Sequence, residues 1–245
     1  MTALEALKSY ARLNWHDDGL MLASIGEVPM AELSKLRGEA REIVARLPGS
    51  DVRNPEHVTY WTGPHGLIRQ WSLVNRENRT DATASDYETG KPFVVPQAEC
   101  LRMFAGEHEG LVNMRLNLMG PDSGLSLHRE ATAIMIDGRP RLKVRFHLPL
   151  LTAGSPCRLG NGLYEMKPGQ VYLFNNGAAH SSWNAGSGAE ARVHLVWDCL
   201  VTRGMLSFLP DPQPVNPSLE VMPEEYPHEK CGVDEEALNR ELECA

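Results

Sequence analysis

The sequence predicts a mainly β fold, an antiparallel sandwich or barrel with flanking helices. Three observations predict it. First, from about residue 111 the hydrophobic pattern runs with period two. In LVNMRLNLM (111–119), Met114, Leu116 and Leu118 share one face, and Arg115 and Asn117 the other. RLKVRFHLPL (141–150) sets Leu142, Val144, Phe146 and Leu148 against Lys143, Arg145 and His147. ARVHLVWDCLV (191–201) sets Val193, Leu195 and Trp197 against Arg192, His194 and Asp198. Second, turn signals divide these runs: GPDSG at 120–124, TAGSP at 152–156, KPG at 167–169 and NAGSG at 184–188. Third, the polar faces carry Arg, His and Asn rather than scattered Lys and Glu, which suits a polar cavity between two sheets better than a solvated face.

Before residue 111 the pattern is mixed. Pro29 opens a helical stretch, PMAELSKLRGEAREIVARL, in which Leu33, Leu36, Ile43, Val44 and Leu47 form one apolar stripe. GLIRQWSLVN (66–75) alternates as a strand, and QAECLRMFAGE (97–107) suits a short helix. The expected organisation is a single domain: an α/β elaboration over 1–110, a barrel core over 111–205, and a tail over 206–245. That tail begins with PDPQPVNPSLEVMPEEYPHEK and either wraps the outside or is partly flexible.

Composition narrows the function. A formal charge of −8 and a pI near 5.6 argue against nucleic acid or an anionic membrane as partner, because both require a basic face. No run approaches the roughly 18 apolar residues of a spanning helix. Glu5, Lys8 and Arg12 interrupt what a signal peptide would keep apolar. The five cysteines are scattered without a CxxC pair, which fits a reducing compartment. A soluble cytoplasmic protein is expected; a homodimer is left open.

The candidate chemistry starts at GLSLHRE (124–130). On an extended chain His128 and Glu130 point to the same side and Arg129 points away. A later strand, VYLFN, leads through LFNNGAAHSSWN (173–184) to His180. Two histidines and one carboxylate with open positions is the arrangement of non-haem Fe(II) oxygenases, although zinc accepts the same donors.

Four segments, in order, resemble the aspartyl/asparaginyl β-hydroxylase family of Fe(II)/2-oxoglutarate-dependent oxygenases, whose free-amino-acid branch includes the proline cis-hydroxylases. RLNLMGPDSGLSLHRE resembles its strand, turn and HxD segment, and RFHLPLLT its R-x-H-x-P-L strand. KPGQVYLFNNGAAHSSWN resembles its G-E-x-x-x-F-D-N-x-x-x-H-x-x-x-N segment, and ARVHLVWD its closing R-x-H-L-x-x-D strand. Two departures stand out. Glu130 replaces the usual Asp, and GSGAE lengthens the interval between His180 and Arg192.

The resemblance implies a double-stranded β-helix (jelly-roll, cupin-like) core and the cofactors Fe(II) and 2-oxoglutarate, with dioxygen as cosubstrate. It implies that His128, Glu130 and His180 hold iron and that Arg192 binds the distal carboxylate of 2-oxoglutarate. Arg145, His147 and Asn117 are implied as further cosubstrate residues. Arg69, Trp71 and Arg115 are the candidates for binding substrate. The implied reaction is hydroxylation of a small free amino acid or derivative. Alternatives are desaturation or ring closure in natural-product biosynthesis, a cupin-like metalloenzyme without 2-oxoglutarate, and a non-catalytic module that binds small carboxylates.

Overall fold

A computed structural model describes residues 1–51, 60–62, 67–82, 88–106, 110–152, 156–184, 190–222 and 231–245. The N-terminal part holds α1 (Ala3–Arg12), β1 (Leu22–Glu27), α2 (Met30–Arg46), β2 (Ser50–Asp51), β3 (Tyr60–Thr62), β4 (Ile68–Ser72) and α3 (Glu99–Gly106). Next come β5 (Leu111–Met119), β6 (Ser123–His128), β7 (Ala133–Ile136), β8 (Arg139–Leu151), β9 (Cys157–Leu159) and β10 (Gly162–Tyr164). The chain continues through β11 (Gln170–Phe174), β12 (His180–Asn184) and β13 (Arg192–Leu200). It ends with α4 (Arg203–Phe208), β14 (Gln213–Pro214), β15 (Leu219–Glu220) and α5 (Glu235–Cys244).

The strands form two antiparallel sheets. A nine-stranded sheet runs β14-β1-β11-β8-β13-β5-β4-β2, with β7 paired to β8; a six-stranded sheet runs β15-β10-β9-β12-β6-β3. The expected mainly β fold with flanking helices is therefore present. Residues before 111 contribute strands to both sheets, and the short strands of the tail pair with β1 and β10 on the outside. The expected turns at 152–156 and 184–188, GSGAE and the tail over 223–230 lie wholly or partly outside the described residues. Among the described residues no helix is long and apolar enough to cross a membrane.

Alternation decides which face of the large sheet does what. Leu142, Val144, Phe146, Leu148, Met114, Leu116, Val193, Leu195 and Trp197 are buried together with α1, α2 and α5 residues in one core. Each such aliphatic side chain contributes roughly 1.5–3 kcal/mol through burial. Trp197 packs edge-on to Phe104 at 5.2 Å and stacks on Phe146 at 5.4 Å. The opposite face carries Asn113, Lys143, Arg145, His147, Arg192, His194 and Asp198, all buried. A polar face removed from water must satisfy its groups internally or hold a ligand.

Local chemistry fixes the supports. Thr2 and Glu5 form a capping box at the start of α1, which seats Tyr10 in the interior. The Tyr10 hydroxyl lies 3.0 Å from the Phe174 carbonyl and 2.9 Å from Asn176 Oδ1, and it accepts from the Arg145 backbone N–H at 3.2 Å. In α2, Leu33, Leu36 and Ile43 are buried as their spacing requires. Gly169 closes the KPG turn at φ +83°, where a Cβ would lie 2.8 Å from Leu33 Cδ2.

Candidate active site

His128 ends β6 and His180 opens β12, and the two are Cα partners in the ladder. Their ring centroids lie 4.1 Å apart. His128 Nδ1 sits 2.8 Å from the Ser126 carbonyl and His180 Nδ1 sits 2.9 Å from the Ala178 carbonyl. A carbonyl only accepts, so each Nδ1 carries the proton and each Nε2 keeps its lone pair. Burial, and then the charge of His128, pushes the His180 pKa down to about 3. Burial likewise lowers that of His128, against the Ser126 hydrogen bond and the Glu130 charge. Both imidazoles are neutral at physiological pH, as metal ligation requires.

Glu130 lies just past β6, with its N–H donating to the Asn176 carbonyl at 2.9 Å. Ligand atoms of His128, Glu130 and His180 all lie within 4.8 Å of one another. Arg129 faces away, its guanidinium bonded to the carbonyls of Gly177 and Leu13, each at 2.9 Å. Two nitrogen donors and one carboxylate at this spacing suit a divalent transition metal such as Fe(II).

Arg145, expected at the cosubstrate, lies between two carboxylates. Its guanidinium forms a fork with both Glu130 oxygens, Nη2 at 2.8 Å, and a second with Asp198 at 2.7 and 3.0 Å. Burial opposes ionisation of Asp198, but the charges of Arg145, Lys143 and Arg115 outweigh it and hold the carboxyl well below the usual range. Glu130 is lowered in the same way, burial being overcome chiefly by Arg145 and Lys143.

Further along the same face, His147 stacks on Phe174 at 4.3 Å. Its Nδ1 lies 3.4 Å from that of His194. Burial, reinforced by the neighbouring arginines for His147 and by Arg192 for His194, holds both well below the ordinary histidine pKa. Arg192 is buried, and among the described residues it has no carboxylate partner. Three side-chain atoms here are buried without a hydrogen bond: Arg192 Nε, His194 Nε2 and Asn117 Oδ1. Asn117 and His194 are cross-strand partners, and Arg192 shares their face. An amide flip lets Asn117 present a donor instead. Each unmet group costs roughly 1–3 kcal/mol, so a bound anion fits this cradle, and the carboxylate of 2-oxoglutarate is of that kind.

Arg115 also faces the interior, donating to Asn113 Oδ1 at 2.6 Å and lying 3.6 Å from Asp198. Trp71 and Arg69 are not brought to the site. The Trp71 ring is buried in the helix-side core and its Nε1–H donates to the Leu47 carbonyl at 3.0 Å; Arg69 is exposed. An odd-numbered position on β4 shares a face with Trp71, which is why both point away. The sequence reading gave His194 and Tyr10 no role. His194 was legible from its place two residues after Arg192, whereas no local signal marks Tyr10.

A model of the aspartyl/asparaginyl β-hydroxylase family matches residues 71–201, more than half of the chain. The chain belongs to this family. It is an oxygenase of the 2-oxoglutarate-dependent kind. Among solved structures it is similar to the non-heme alpha ketoglutarate dependent epimerase SnoN from nogalamycin biosynthesis, at 12% identity and TM-score 0.50, covering 92% of this chain and 96% of that one. That likeness shows a shared fold, the jelly roll of these oxygenases. It is also similar to a 2OG-Fe(II) oxygenase family protein from Burkholderia pseudomallei (15% identity, TM-score 0.47, covering 79% and 89%). HygX from Streptomyces hygroscopicus, solved with nickel and 2-oxoglutarate, is similar at 14% identity and TM-score 0.43, covering 73% and 82%. No curated protein sequence matches the chain.

Proposed function

We propose that this family member uses Fe(II) and 2-oxoglutarate to hydroxylate an unactivated C–H bond of a small free amino acid or amino-acid derivative. The observation that carries the cosubstrate assignment is Arg192, a buried guanidinium with an unmet Nε and no carboxylate partner among the described residues. A cupin-like enzyme without 2-oxoglutarate would have no use for it.

His128, Glu130 and His180 would hold the iron, leaving its other positions open to cosubstrate and dioxygen. When bound, iron and 2-oxoglutarate would supply the activation of dioxygen, which is the oxidant: one oxygen atom goes into succinate as 2-oxoglutarate loses CO2, and the other is left for the substrate. Arg192 binds the distal carboxylate, its planar fork matching the two oxygens. His194 Nε2 and the amide of Asn117 sit beside it as further polar contacts. His147, stacked on Phe174, lies on the same polar face. Arg115, inside the barrel beside Asn113 and Asp198, would receive the substrate carboxylate.

The test is turnover in air with Fe(II), ascorbate, 2-oxoglutarate and a panel of amino acids, including N-modified and nitro-substituted ones, following succinate and product mass. Succinate release stimulated by one compound that gains a single oxygen supports hydroxylation. Loss of two hydrogens would replace it by desaturation or ring closure. A protein that binds no 2-oxoglutarate contradicts the proposal.

A further inference from the structure

Every nitrogen of the Arg145 guanidinium is committed to a carboxylate. The commitment is built in layers. Arg145 and Asp198 are Cα partners on β8 and β13, so the two strands bring the pair together. Asp198, 1% exposed, is fixed from its other side by Asn113 Nδ2 at 3.0 Å and by Arg115 at 3.6 Å. Glu130, by contrast, lies outside any strand, and a third of its side chain is exposed.

We infer that Arg145, braced by Asp198, is a positioning residue that holds Glu130 in its metal-ligating orientation. The inference rests on the iron reading above. A glutamate turns about three side-chain bonds and loses that freedom when it ligates, unless it is already fixed. The fork fixes it. A carboxylate offers about four lone-pair sites, so two donated hydrogens leave capacity for a metal. Partners of this kind orient metal ligands, and their loss typically costs roughly 10–100-fold in metal affinity. Arg145 also places a positive charge near the metal, which works the other way. Arg145→Lys separates the two effects, because lysine keeps the charge and loses the fork.

The experiment titrates Co(II) into the metal-stripped full chain by calorimetry, in wild type and R145K, each with Glu130 or with Glu130→Ala. In the Glu130 background R145K should weaken Co(II) by about 10–100-fold. In the E130A background it should change affinity less than about twofold, since the residue it positions is gone. If R145K does not fold, R145Q/D198N removes the fork while keeping the buried charges balanced, and it should give the same loss of Co(II) affinity.

Equal weakening in both backgrounds would make Arg145 merely structural and overturn the inference. A wild-type protein that binds neither Co(II) nor 2-oxoglutarate overturns the functional reading as well. One that binds both, with R145K unchanged, overturns only the role of Arg145.

Discussion

His128 and His180 face one another across the β6–β12 ladder, and each donates its Nδ1–H to the carbonyl two residues before it. The backbone therefore chooses the tautomer, and Nε2 is free on both rings before any metal arrives. His180→Ala or His128→Ala should lower Co(II) affinity by more than about 100-fold, beyond the roughly 10–100-fold typical of outer-shell partners. The metal-free melting temperature should move by less than about 5 °C, since about 1 kcal/mol shifts it by 2–4 °C at this size. Paired calorimetric titration and thermal melts check both parts.

Buried neutral histidines also set the acid limb of stability. His147 and His194 sit well below the unfolded value of roughly 6.5, and His180 at about 3. As pH falls through that window the unfolded chain takes up protons first. Their contribution is thus complete above about pH 6.5 and is lost as pH falls toward the folded values. Glu130 and Asp198, both lowered, add a loss of the same sign in the carboxylate range further down. Urea unfolding of the metal-free protein should lose at least about 1 kcal/mol between about pH 7.5 and about pH 5.5. A flat profile there would contradict the buried neutral assignment.

Arg192→Leu separates binding from stability. Truncating one side of a buried charge pair costs about 2–5 kcal/mol, so 2-oxoglutarate affinity in the Ni(II)-loaded protein should fall by at least about 30-fold. Arg192→Lys should fall between the two, keeping the charge without the fork. Stability of the free protein should not fall with it, because R192L removes a buried cation that has no carboxylate partner among the described residues. A large drop in melting temperature would count against a binding role.

Trp71→Ala should behave as a core truncation, costing about 3–5 kcal/mol. Trp71→Phe should cost less, losing mainly the hydrogen bond to the Leu47 carbonyl. Denaturant melts measure this directly. A W71F protein with wild-type stability and a raised substrate KM would return Trp71 to the substrate pocket.

How much of this was legible depends on whether a residue acts through its own strand or through a distant partner. Period-two patterns revealed the strands around Leu116, Val144 and Leu195, and the same alternation put Arg192, His194 and Asp198 on one face. The His-x-Glu spacing and the strand leading to His180 pointed to the triad, which depends on side chains at fixed offsets. Arg145 shows the limit. Its position in an alternating strand revealed that it faces the cavity, but not that Asp198 and Glu130 would occupy its donors first, since those partners are set by β8–β13 register. Trp71 and Arg69 share one face of β4, opposite Leu116 and Leu118, and alternation within a single strand does not say which of its faces meets the core and which the cavity. Tyr10 was out of reach because its contacts lie far along the chain, at Phe174, Asn176 and Arg145.

The most direct measurement is anaerobic: Fe(II) is added to the folded, metal-stripped protein, followed by 2-oxoglutarate, while the visible spectrum is recorded. A weak charge-transfer band should appear in wild type, vanish in His180→Ala, and require far more 2-oxoglutarate in Arg192→Leu. Folded wild-type protein that gives no band at saturating Fe(II) and 2-oxoglutarate would contradict the assignment of this site.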